Sequence, residues 1–188
     1  MGLTYTAPAL LPVTLAEMML HLRVDETAEN DLVSSLIDAA TKYVEEITRR
    51  QFLNATYVWT LDRFTSVLRP PRAPLSSVTS IAYTDTAGDS QTVTASDYVV
   101  DKASEPGRIV EAVGEVWPTT RQIIDAVTVT FIAGYGATAA STPEGIKALI
   151  KLFVADLFEH REGNIEARLQ ANIAVNSLLW QYRVYEAD

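Results

Sequence analysis

Chemistry needs reactive side chains at workable spacing, and this chain offers few. It has two histidines, His21 and His160, and no cysteine. Asp156, Glu159, His160 and Glu162 fall in one stretch, where Asp156 and His160 share a helix face at i and i+4. An acid–base pair or a metal site is the chemistry such a cluster could do. The plainer reading is a solvated helix end beside Arg161, and it is preferred because no paired-histidine zinc motif is present. Gly134-Tyr-Gly136 lacks the lysine of a phosphate loop and reads as a turn. No serine sits in a G-x-S-x-G elbow. Asp85, Gly88 and Asp89 are too few ligands for a calcium loop and read as a hairpin turn. Trp59, Trp117 and Tyr83 read as core or sheet-face residues, since an aromatic nucleic-acid platform needs basic neighbours. The expectation is therefore no catalytic centre, no structural metal and no cofactor.

The elements that would carry these residues follow from periodicity. Between Pro143 and Glu162, apolar Ile146, Leu149, Ile150, Phe153, Val154, Leu157 and Phe158 repeat at the spacing of one helix face. Thr142 is expected to cap this helix, with Pro143 at its first position. A second long helix is predicted from about Glu29 to Arg50. Its stripe is Val33, Leu36, Ile37, Ala40, Tyr43, Val44 and Ile47, and Arg49 and Arg50 fall in its last turn, where cations suit the dipole. Two such faces are natural partners. Thr14-Leu-Ala-Glu17 fits a capping box, with Val13 and Met18 at the staple positions, and opens a short helix to about Leu22.

The middle changes period. Thr56–Arg63, Ser77–Tyr83, Gln91–Thr94, Tyr98–Val100, Arg108–Val110 and Ala126–Ile132 read as short strands, spaced as antiparallel hairpins. Pro70, Pro71 and Pro74 mark an irregular edge segment. The fold class expected is mainly α. It comprises a helical bundle core of two long and one or two short helices, with an inserted antiparallel β subdomain. The parts are 11–53 helical, 54–136 β insertion, 137–163 core helix and 164–188 a C-terminal segment, all in one domain. Asn164 to Asn172 is polar and reads as a loop or weak helix, whereas Asn176 to Tyr185 is apolar and aromatic, unlike a frayed terminus.

Composition sets the outer bounds. The chain has 188 residues, 48% of them hydrophobic, which suits one compact domain or one domain with an insertion. It has no apolar run long enough to cross a bilayer. The first residues lack the basic and apolar regions of a signal peptide, so synthesis in the cytoplasm is expected. A net charge of −9 argues against gripping nucleic acid, because phosphate binding needs Lys and Arg.

The order of the parts carries a resemblance. It runs through Leu15, His21-Leu-Arg-Val-Asp25, Asp31, Ala39-Ala40 and Thr48-Arg-Arg50. It continues with Leu61-Asp-Arg-Phe64, Pro74-Leu-Ser-Ser-Val78, Ile81-Ala-Tyr-Thr-Asp85 and Tyr98-Val-Val-Asp101. It closes with Trp117-Pro118, Val127 through Tyr135, Pro143 and Leu157 through Glu162. This set resembles the head–tail connector (adaptor) proteins of long-tailed phages and phage-derived gene transfer agents, over about Leu11 to Arg183.

The resemblance implies an α-helical core with a β insertion, and a virion protein at the head–tail neck, assembled in the host cytoplasm. It implies a ring of twelve subunits under the portal, with DNA passing through the lumen without specific binding. The partners implied are the portal protein, a tail or stopper protein and further copies of the chain, with no membrane. An isolated subunit is compatible with a monomer until the portal acts as template. The family's C-terminal segment reaches into the portal, so Leu178, Leu179, Trp180, Tyr182, Arg183 and Tyr185 are the expected docking residues. Folding back onto the subunit's own helices is the alternative for that segment. Leu36, Ile37, Tyr43, Leu149, Phe153 and Leu157 are the expected residues of the core helices and subunit interface. Alternatives to the connector are a neck or tail-completion protein lower in the stack, and a small enzyme using Asp156 and His160.

Overall fold

A computed structural model describes residues 2–25, 27–160 and 173–185. The expectations for Arg161, Glu162 and Asn164–Asn172 lie outside these residues. The chain divides into two compact units. One is built from Ala9–Leu53 and Gly136–Val184, the other chiefly from Met1–Pro8 and Asn54–Tyr135.

The first unit is helical. Its helix α1 spans Leu15–Leu22 and opens on the expected capping box. The Thr14 hydroxyl accepts the Glu17 N–H at 3.2 Å, and the Glu17 carboxylate accepts the Thr14 N–H at 2.9 Å. That backbone bond, foremost, holds the Glu17 carboxyl below its usual range. Val13 and Met18, the staple pair, are fully buried. Helix α2 spans Asn30–Thr48 and buries Val33, Ile37, Ala40 and Val44. It stops earlier than periodicity suggests. Arg49 takes the left-handed conformation at φ 56°, so Arg49 and Arg50 lie beyond the last turn rather than within it. Helix α3 spans Glu144–Glu159 and buries Ile146, Leu149, Ile150, Phe153 and Val154. Pro143 is its N-cap, and Thr142 makes no capping bond, contrary to expectation. Helix α4 spans Ile173–Tyr182. It packs on both α2 and α3, and α2 packs on α3.

The second unit is a β structure in which every strand pairing is antiparallel. In chain order the strands are β1 (Gly2–Thr6), β2 (Ala55–Leu61), β3 (Val67–Leu68), β4 (Leu75–Thr84), β5 (Ser90–Thr92), β6 (Tyr98–Asp101), β7 (Arg108–Glu111) and β8 (Val127–Ala133). Five form a sheet in the order β1-β2-β8-β4-β5, and three form a second sheet in the order β3-β7-β6. Strand β8 is central and alternates as a half-buried strand should, burying Val127, Val129, Phe131 and Ala133. Strand β2 supplies Tyr57 and Trp59 to the same core, with Ile81 of β4 and Ile109 of β7. Rings stack across three strands: Tyr5 on Tyr57, and Tyr57 on Phe131, each at 5.3 Å.

This architecture corrects the expected fold class. Among the described residues there are four α-helices and eight strands, so the protein is mixed α/β and not mainly α. The strands are more than an appendage to a bundle, because they bury a core of their own. They also recruit residues 2–6, which sequence patterning assigns to no element.

Candidate functional site

The candidate site lies on the helical unit, where α4 meets α2 and α3. Its shape follows from how α2 ends. The left-handed Arg49 turns the chain sharply, and Arg50 folds inward to 7% exposure. There its Nε donates to the Tyr182 carbonyl at the end of α4. The Val184 N–H donates to the Thr48 carbonyl at 3.0 Å. The Glu45 carboxylate ties down the following residues, accepting from Gln51 Nε2 at 2.7 Å and from the Phe52 N–H at 3.0 Å. On α3, Gly145 leaves room for the Tyr182 ring. A Cβ there would stand 2.5 Å from the Tyr182 hydroxyl, so any side chain would force the Tyr182 ring to shift. Val175 is buried on the first part of α4. The helix is thus fastened at both ends.

Between these fastenings an open groove of about 530 Å³ is lined by Tyr43, Ile47, Phe153, Leu179 and Trp180, with Glu46, Arg49 and Arg183 supplying both signs of charge. The Tyr43 and Phe153 rings meet at 5.2 Å, tilted by 57°. Trp180 is 63% exposed although it is the largest apolar side chain of α4. A groove lined by apolar and aromatic side chains with charged ones beside them has the composition of a protein-contact surface.

The expected residues are distributed as follows. Leu178, Leu179 and Tyr182 are half-buried, while Trp180, Arg183 and Tyr185 are exposed. Ile37, Leu149 and Phe153 are 1%, 0% and 2% exposed and belong to the subunit's own core. Leu36, Tyr43 and Leu157 are half-buried. The two expected sets meet, because Tyr43 and Phe153 line the same groove as Leu179, Trp180 and Arg183. Residues that sequence reasoning did not assign to a site are Glu46, Ile47, Arg49 and Asn176. The Arg49-Arg50 pair is the one signal that could have pointed there. At the other end of α3, His160 Nδ1 lies 3.4 Å from Asp156 Oδ1. Among the described residues no group of three or more His, Asp or Glu side chains could hold a metal ion.

Residues 12–106 match the family described as phage gp6-like head-tail connector protein, and the chain belongs to that family. It is a structural protein of the head–tail junction of a virion. No curated protein matches the sequence. Solved structures with the same fold come from gene transfer agent particles. A chain from the virion of a native particle matches at TM-score 0.82 and 23% identity, covering 100% of this chain and 98% of that one. A chain from the neck of an empty particle, computed with C6 symmetry, matches at 0.81 and 24%, again over 100% and 98%. A chain from the neck of a native particle, computed with C12 symmetry, matches at 0.79 and 23% over the same shares.

Proposed function

We propose that the protein is one subunit of a closed ring at the neck, seated on the portal through α4 and joined below to a tail or stopper protein. The observation that supports this best is the split character of α4. Val175 is buried and Tyr182 is held by Arg50, yet Trp180, and Arg183 just past the helix end, stand exposed beside a groove. Exposed Trp and Arg on a rigid element are the usual anchors of an interface. Leu178, Leu179 and Tyr182 complete the docking surface on this unit, and Tyr185, which falls in the other unit, is a separate docking candidate. The similar chains from necks with C6 and C12 symmetry support a cyclic assembly, taken as twelvefold here. Neighbouring helical units meet through the half-buried Leu36 and Leu157, while Ile37, Leu149 and Phe153 shape the helices behind them. The ring is non-catalytic. Its net charge of −9 suits a channel that DNA slides through without sticking.

The test is portal binding by single variants. Trp180→Ala removes an exposed side chain, so the fold and melting temperature stay unchanged. Binding per subunit weakens by about 2 kcal/mol, or roughly thirty-fold. Arg183→Ala acts in the same direction. Unaltered affinity in both variants would move the portal contact off α4.

A further inference from the structure

The five-stranded sheet ends on β1 at one side and on β5 at the other. These two strands differ from the remaining six. Every residue of β1 and of β5 is exposed, whereas each other strand has at least one buried or half-buried residue. Strand β1 is held by its ladder to β2 and by the stacking of Tyr5 on Tyr57, with little burial of its own.

A sheet edge carries unpaired N–H and C=O groups, and proteins blunt such edges with charge, proline or short strands. The three-stranded sheet obeys this rule, because its edge β3 is two residues long and its edge β6 carries Asp101. The five-stranded sheet follows it only in the shortness of β5, three residues, while β1 has five. Its edges read Gly-Leu-Thr-Tyr-Thr and Ser-Gln-Thr, with no charge and no proline, in a chain that has 24 acidic and 15 basic residues.

We propose that β1 of one copy pairs with β5 of the next, so that neighbouring sheets join edge to edge around the ring. The inference rests on the ring reading above. The occupant is a second copy because the two edges, both without charge or proline, are different surfaces of one sheet. A cyclic assembly needs that kind of heterologous contact, and self-pairing of either edge would leave the other open. With three residues in β5, the ladder is too short to hold two free subunits together. It forms once a template sets the copies side by side at high effective concentration.

The chain has no cysteine, so introduced thiols are the only ones present. Thr4→Cys combined with Gln91→Cys puts one on each edge. Within a copy β2, β8 and β4 lie between them. Strands about 4.8 Å apart then separate the two Cα atoms well beyond the roughly 7 Å limit for a disulfide. Leu3→Cys and Tyr5→Cys, each with Gln91→Cys, cover the adjacent registers. Rings formed with the portal and mildly oxidised should yield, for at least one double variant, covalent multimers that collapse on reduction. Each single variant should stop at a dimer. Rings visible in electron micrographs without multimers from any double variant would overturn the edge contact while leaving the ring intact. Absence of rings on the portal would sink the ring reading, and this contact with it.

Discussion

Asp101 shows how much one half-buried side chain can organise. Its carboxylate accepts the Ser104 hydroxyl at 2.7 Å, Arg108 Nη2 at 2.6 Å, and the N–H groups of Ala103 at 2.9 Å and Ser104 at 3.1 Å. The Ser104 hydroxyl, then Arg108, hold this carboxyl well below its ordinary value near 3.8. A depressed carboxyl contributes stability above its unfolded value and loses it as pH falls toward the folded one. Asp101→Asn should therefore be less stable than the parent at pH 7. The gap between their urea midpoints should shrink as pH drops below 3.8. A gap independent of pH would show that the carboxylate charge plays no part. Residue-scale features differ in how plainly sequence announces them. Thr14 and Glu17 were legible because a capping box is local, three residues apart. Arg49 was not, since a non-glycine residue in the left-handed region is uncommon and nothing in Thr48-Arg-Arg50 demands it. Thr142 had the right side chain for a cap, yet Pro143 takes the position.

Whole elements were legible where their own residues decide them. The stripes of α2 and α3 and the alternation of β8 depend on periodicity within the segment, and each falls where its pattern puts it. Strand β1 escapes that logic. Its five residues are all exposed, so burial imposes no pattern, and its place comes from pairing with β2 fifty or more residues later. The groove was legible in part. Trp180 and Arg183 stand out in composition, whereas Tyr43 and Phe153 join them only through the packing of α4 on α2 and α3. That packing also makes α4 structural. Deleting residues 176–188 removes the Arg50–Tyr182 bond, the Val184–Thr48 bond and the burial of Val184. The deletion should cost about 2 kcal/mol or more from lost apolar burial, seen as a lower melting temperature. Trp180→Ala should leave the melt unchanged. An unaltered melt after deletion would mean that α4 contributes nothing to the unit.

For the whole molecule, charge gives a direct expectation. With a net charge of −9, duplex DNA at about 0.15 M salt should form no complex detectable by fluorescence anisotropy, because no surplus of cations releases counterions. Saturable binding under those conditions would rule out a channel through which DNA slides freely. The mixed α/β class was the least legible property, since it depends on two strand sets closing a core and not on any one segment. The division of the helical unit into Ala9–Leu53 and Gly136–Val184 has a further consequence, in time. Helix α2 is complete at Thr48, but α3 begins only at Glu144. At roughly 5–20 residues per second of synthesis, the apolar stripe of α2 waits on the order of 5–20 s for its partner. During that interval Val33, Ile37 and Val44 have nothing of α3 to pack against, while the intervening strands emerge and pair among themselves. The nascent chain is therefore most open to aggregation in mid-synthesis, and a holding chaperone on the ribosome would find its target in α2.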